Sequence, residues 1–92
     1  PGVANAPLRV VLTTRANCWV MARVDGERAL AKLLPAGARE SLEIDEELVL
    51  RVGEPGALML SINGEPARAL GPAGQPITVR ITRENFRDFL GS

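Results

Sequence analysis

Residues 18–34 read CWVMARVDGERALAKLL. Cys18, Val20, Ala22 and Val24 share one side of an extended chain, while Asn17, Trp19, Met21 and Arg23 share the other, the period of two that a half-buried strand requires. Asp25 and Gly26 follow at once. That dipeptide accepts positive φ at both central positions of a type I′ turn, so it predicts a hairpin with Glu27 to Leu34 as the returning strand. The turn also sets register, and register decides which of the two rows faces the core.

Outward from this hairpin the same grammar repeats. Upstream, Leu8, Val10 and Leu12 alternate with Arg9, Val11 and Thr13. Downstream, Pro35 to Gly37 break the chain before Arg39 to Ile44, where Leu42 and Ile44 are expected inward and Ser41 and Glu43 outward. Asp45 to Glu47 make a solvated turn, and Leu48, Leu50 and Val52 resume the alternation as far as the turn at Gly53 to Gly56. Leu58, Leu60 and Ile62 form a further inward row. It ends at Asn63-Gly64, the strongest short hairpin signal in the chain. A short return strand is expected from Ala67 to Leu70, then a turn at Gly71 to Gly74, then a last strand with Ile77, Val79 and Ile81 inward. Turn signals recurring roughly every 8 to 12 residues between about seven or eight short strands predict an all-β fold, a small antiparallel β-sandwich. Only Arg83 to Leu90 departs from it: Phe86, Phe89 and Leu90 fall at helical spacing behind Thr82 as N-cap and predict a short C-terminal helix.

A chain of 92 residues buries one core, so residues 8–92 are read as a single domain. Residues 1–7, PGVANAP, have the composition of a linker. A start at Pro1 rather than Met suggests excision from a longer protein, with targeting or anchoring information upstream. Eleven basic and eleven acidic residues cancel, which removes the long-range field that would draw this domain onto nucleic acid or an anionic membrane. The shortage of aromatic residues argues equally against stacking on single-stranded nucleic acid.

The catalytic vocabulary is thin, with no His, no Tyr and one Cys. Cys18 has no imidazole to generate a thiolate and reads as a small apolar residue on an inward face. Ser41 and Ser61 could pair with Lys32, but their context gives no support and both read as outward strand residues. Glu43, Asp45, Glu46 and Glu47 lack the spacing of a calcium loop and read as a solubilising turn. The glycines at 53, 56, 71 and 74 precede no helix that would make them a phosphate cradle. No metal, cofactor or catalytic residue is expected, and the chain reads as a binding or structural module rather than an enzyme. Trp19 suits either packing on the sheet or a contact with a ligand or protein. Phe86, Phe89 and Leu90 suit either a cap on one open end of the sandwich or a docking stripe. With Met21 beside Trp19, these five are the candidate partner contacts.

The run ANCWVMARVDG (residues 16–26), then LLPAG (33–37), LRVG (50–53), GAL (56–58), Asn63-Gly64 and GPAG (71–74) before a final strand, resembles the C-terminal domain of the RodZ-like bacterial cell-shape proteins. The resemblance covers about residues 8–82. It implies a membrane protein whose cytoplasmic helix-turn-helix domain contacts the actin-like MreB filament, with one transmembrane helix and a linker leading to this domain. On that basis the domain is extracytoplasmic, in the periplasm or on the outer face of the cytoplasmic membrane, and touches the membrane only through the upstream helix. Its expected partners are cell-wall elongation proteins or peptidoglycan. The family assigns no catalytic residues. The expected role is a non-enzymatic protein-interaction module, with a carbohydrate- or peptidoglycan-binding sandwich as the alternative.

Overall fold

The computed structural model describes residues 7–90. Eight strands run through this range: β1 Leu8–Thr14, β2 Cys18–Val24, β3 Glu27–Leu34, β4 Arg39–Ile44, β5 Glu47–Val52, β6 Leu58–Ile62, β7 Glu65–Pro66 and β8 Ile77–Thr82. They form two four-stranded antiparallel sheets, ordered β4-β1-β6-β7 and β3-β2-β5-β8. The sheets face each other as the all-β sandwich that the alternation predicts. Asp25 and Gly26 have φ of 52° and 85°, and Asn63 and Gly64 have φ of 53° and 84°. Both dipeptides therefore adopt positive φ at the two central positions, as a type I′ hairpin requires.

The core is aliphatic. Val10 and Leu12 of β1, Val20 and Ala22 of β2, Leu48, Leu50 and Val52 of β5, Ile62 of β6 and Ile81 of β8 are wholly buried between the sheets. Each such valine, leucine or isoleucine contributes about 1.5–3 kcal/mol by leaving water. Cys18 belongs to the same layer, 2% exposed. Among the described residues no aromatic side chain is part of that fully buried set. Trp19, Phe86 and Phe89 all lie further out.

Each open side of the sandwich has its own closure. At the β3/β4 side, Lys32 is paired opposite the inward-facing Val20 and reaches across to Glu40 on β4, 3.6 Å away. A charge on the inner side of an edge strand disfavours pairing with another chain. At the β7/β8 side the C-terminal segment fills the gap. Leu90 bridges Ala67, the Arg68 amide donates to the Phe89 carbonyl at 2.8 Å, and Phe86, Phe89 and Leu90 pack on the core.

Two local expectations are corrected. The return after Asn63-Gly64 is Glu65–Pro66, with Ala67 making the isolated bridge, and no strand covers Ala67 to Leu70. Pro66 lacks an N–H for the ladder, which shortens the strand at an edge. The C-terminal segment forms a 3-10 turn, Phe86–Phe89, rather than an α-helix, because a single turn offers too few hydrogen bonds to repay α-helical nucleation. The N-cap is Asn85 rather than Thr82, and Thr82 instead exchanges hydrogen bonds with it. Its hydroxyl accepts from the Asn85 amide at 3.2 Å, and the Asn85 Oδ1 accepts from the Thr82 amide at 2.7 Å. Of the linker expectation, residues 1–6 lie outside the described residues.

Among the described residues Thr14 is the buried polar side chain, 3% exposed. Its hydroxyl donates to the Pro35 carbonyl at 2.6 Å and accepts from the Ala38 amide at 3.0 Å, tying β1 to the turn that carries the chain between sheets. The Ala38 amide also donates to the Pro35 carbonyl at 3.1 Å, so Thr14→Val keeps the volume and leaves both groups partnered, and chemical denaturation should show a loss of about 0.5–1.5 kcal/mol. An unchanged midpoint would contradict this role.

Candidate interaction face

The outer face of the β3-β2-β5-β8 sheet is read row by row from its register. Trp19 lies directly opposite Leu33, and the two are 46% and 58% exposed. The next row is Ala31, Met21, Arg51 and Thr78, and the one after it Arg28, Arg23, Val49 and Arg80. A large indole and a leucine side by side in water are unfavourable unless something covers them. Met21 and Val49 are half-buried between these rows. Met59, the other large exposed hydrophobic residue, sits on the opposite sheet.

The glycine-rich turns hold Trp19 in place. The Gly53 amide donates to the Trp19 carbonyl at 2.8 Å, and a Cβ at position 53 would stand 3.4 Å from both the Trp19 Cβ and its carbonyl oxygen. Glycine thus keeps the flank of the tryptophan open. The Glu54 carboxylate accepts from the Gly56 and Gly74 amides, at 3.1 and 2.6 Å. A Cβ on Gly56 would come within 2.9 Å of the Ala73 Cβ, so the two turns close on each other only without it. The Cys18 thiol donates to the Glu54 carbonyl at 3.4 Å. Cys18, Gly53 to Gly56 and Gly74 are therefore one structural joint, with Trp19 projecting from it.

The five candidate contacts fall in two places. Trp19 and Met21 share the sheet face, whereas Phe86, Phe89 and Leu90 are half-buried in the β7/β8 closure, where Arg87 stacks over the Phe86 ring at 5.1 Å. The structure does not bring the two groups together. Leu33 is a contact the sequence does not disclose: the Asp25-Gly26 turn alone would set Trp19 opposite Lys32, and only the one-residue shift between Ala22 and Arg23 brings Leu33 opposite it.

The acidic turn is organised by a residue of the other hairpin. Asp25 accepts from the amides of Asp45, Glu46 and Glu47 at 3.1, 2.7 and 3.0 Å. Glu43 pairs with Arg9 at 3.7 Å, Glu47 pairs with Arg80, and the Arg83 guanidinium donates to the Asp45 carbonyl. Asn63 makes the matching clip on the first sheet, its Oδ1 accepting from the Arg9 amide at 2.9 Å. Among the described residues no group of three His, Cys, Asp or Glu is arranged to hold a metal ion, and no helix is long and apolar enough to cross a membrane.

The backbone amide of Glu47, joined by those of Glu46 and Asp45 and by the charge of Arg83, holds the Asp25 carboxyl below its ordinary value of 3.8. A depressed carboxyl stabilises the fold fully above the unfolded value and loses that contribution as pH falls through the folded one. Asp25→Asn keeps an acceptor and tolerates positive φ while removing the charge. Acidification from neutral pH to below 3.8 should therefore lower the thermal midpoint of the natural chain more than that of the variant. Equal losses would contradict the clip.

These features define a class: a two-sheet antiparallel sandwich with closed sides and one apolar, arginine-rich face. The RodZ C-terminal domain matches residues 11–82, most of the chain, and the chain belongs to that family. It is thus a domain of a RodZ-like cell-shape protein. The chain matches no curated protein and no solved structure.

Proposed function

We propose that this domain is a non-enzymatic, extracytoplasmic interaction module whose contact surface is the outer face of the β3-β2-β5-β8 sheet, centred on Trp19. The observation that carries the reading is the exposed Trp19–Leu33 pair, seated on the joint of Cys18, Gly53 to Gly56 and Gly74. Edge pairing is the poorer mode, because Lys32 guards the β3/β4 side and the C-terminal segment occupies the β7/β8 side. The depression on the opposite sheet is lined by Arg9, Val11, Arg39, Glu43 and Ser61 among others, a mixed and open surface without an aromatic anchor. Composition favours protein over glycan: tryptophan, methionine and arginine are enriched in protein interfaces, while sugar platforms use several aromatics. Sedimentation of the purified chain with peptidoglycan tests this choice. No saturable binding is expected. Saturable binding weakened by Trp19→Ala would transfer the site to the glycan.

A further inference from the structure

Resting on that reading of the sheet face, we infer that the partner is a protein surface presenting carboxylates around an apolar centre, and that Arg23, Arg28 and Arg51 receive them. The observation is an arrangement that folding alone does not favour. Arg23 of β2 stands directly opposite Arg28 of β3, and the register shifts by one residue between Ala22 and Arg23. The two-residue Asp25-Gly26 turn sets Val24 opposite Glu27 and Arg23 opposite Arg28, and the shift falls beyond that pair, away from the turn. Two guanidinium groups therefore stand about one strand spacing apart on the same side of the sheet. Like charges directly opposite each other destabilise a strand pair. Among the described residues none of Arg23, Arg28 and Arg51 has a carboxylate partner, although Arg80 in the same row is neutralised by Glu47. A local rule broken on an exposed face marks a functional surface.

Arg51 is paired opposite Met21, on the strand next to Arg23 and two residues along, roughly 7–8 Å away. The three cations therefore border the Trp19, Leu33 and Met21 cluster on one flank. A chain of zero net charge has concentrated unpaired positive charge beside its exposed apolar patch. The complementary surface has apolar side chains at its centre and aspartate or glutamate along one margin. An arginine fork takes a carboxylate in bidentate fashion, and such a pair sets orientation and encounter rate more than raw affinity. The anionic membrane is the weaker candidate because the domain as a whole has no attracting field.

The test uses the full-length protein in its own cell, with rod shape as the readout, together with flotation of the purified chain. Three forms are compared: Arg23→Glu with Arg51→Glu, Arg23→Lys with Arg51→Lys, and Trp19→Ala. All change side chains on the sheet surface, so a folded chain with cooperative thermal unfolding is required of each. The glutamate pair should lose rod shape as completely as Trp19→Ala, the lysine pair should keep most of it, and suppressors of the glutamate pair should replace an acidic residue of a second protein by a neutral or basic one. Rod shape kept by the glutamate pair but lost by Trp19→Ala overturns the acidic partner and leaves the face intact. Rod shape kept by both overturns the face as well. Flotation with phosphatidylglycerol vesicles, absent with phosphatidylcholine vesicles and abolished by the glutamate pair, would overturn the protein partner in favour of lipid.

Discussion

Leu50→Ala is expected to cost about 2–5 kcal/mol of folding stability, the range for emptying a leucine site in a close-packed core. Leu50 is wholly buried and sits in the middle of its sheet, paired on one side with Ala22 and on the other with Val79. Ala22 is already small, so β2 offers little bulk to collapse into the space. A small domain has only about 5–15 kcal/mol in hand, and the variant should populate unfolded chain at growth temperature. Its loss of cell-shape function would follow the loss of folded protein. Denaturant titration checks the magnitude, and a loss below about 1 kcal/mol would mean that the two sheets pack differently from the arrangement described above.

The opposite signature is expected of Trp19→Ala combined with Leu33→Ser. Both side chains are about half exposed, 46% and 58%, so their removal takes less than emptying a core site and should change stability by about 1–2 kcal/mol. The same double change deletes the anchors of the proposed interface, where truncating a central aromatic typically costs 2 kcal/mol or more of binding. With both anchors removed, the loss of binding should be close to complete in effect. Leu50 and Trp19 thus separate fold from function: one is a hydrophobic residue that the molecule needs inside, the other one that it tolerates outside.

How much of this was legible in the sequence depends on the range of each interaction. Period two and the Asp25-Gly26 and Asn63-Gly64 dipeptides act within a few residues, and they predict β2 and β3 to their ends. Alternation also places Cys18 inside and Trp19 outside. Within β3 the pattern fails, because ERALAKLL carries the register shift and puts a lysine on the inner side and a leucine on the outer. Leu33 is visible only after strand pairing is known. The Asp25 clip is non-local, joining residues twenty or more positions apart, and no turn propensity announces it. Asp25 and Asn63 read as turn geometry, but each also fastens its hairpin to a neighbouring segment. The C-terminal apolar spacing was real. What it encoded was a side closure made by one 3-10 turn, since three apolar residues at helical spacing do not reveal helix length.

The arrangement of charge around Trp19 sharpens the contrast with a passive scaffold. A face meant only to be solvated would intersperse both signs, whereas here Arg23, Arg28 and Arg51 gather beside the apolar pair. The glycine-rich joint beneath Trp19 costs backbone freedom on folding and returns a fixed orientation of the indole. Both features favour a surface shaped for contact.

The most direct measurement of that claim pairs two readouts on the full-length protein carrying Trp19→Ala and Leu33→Ser: thermal unfolding of the purified domain, and restoration of rod shape when the variant is the cell's sole copy. Cooperative unfolding with the midpoint lowered by no more than about 10 °C, together with failure to restore rod shape, is the predicted result. Full restoration of rod shape at normal protein level would contradict the assignment of this sheet face as the contact surface.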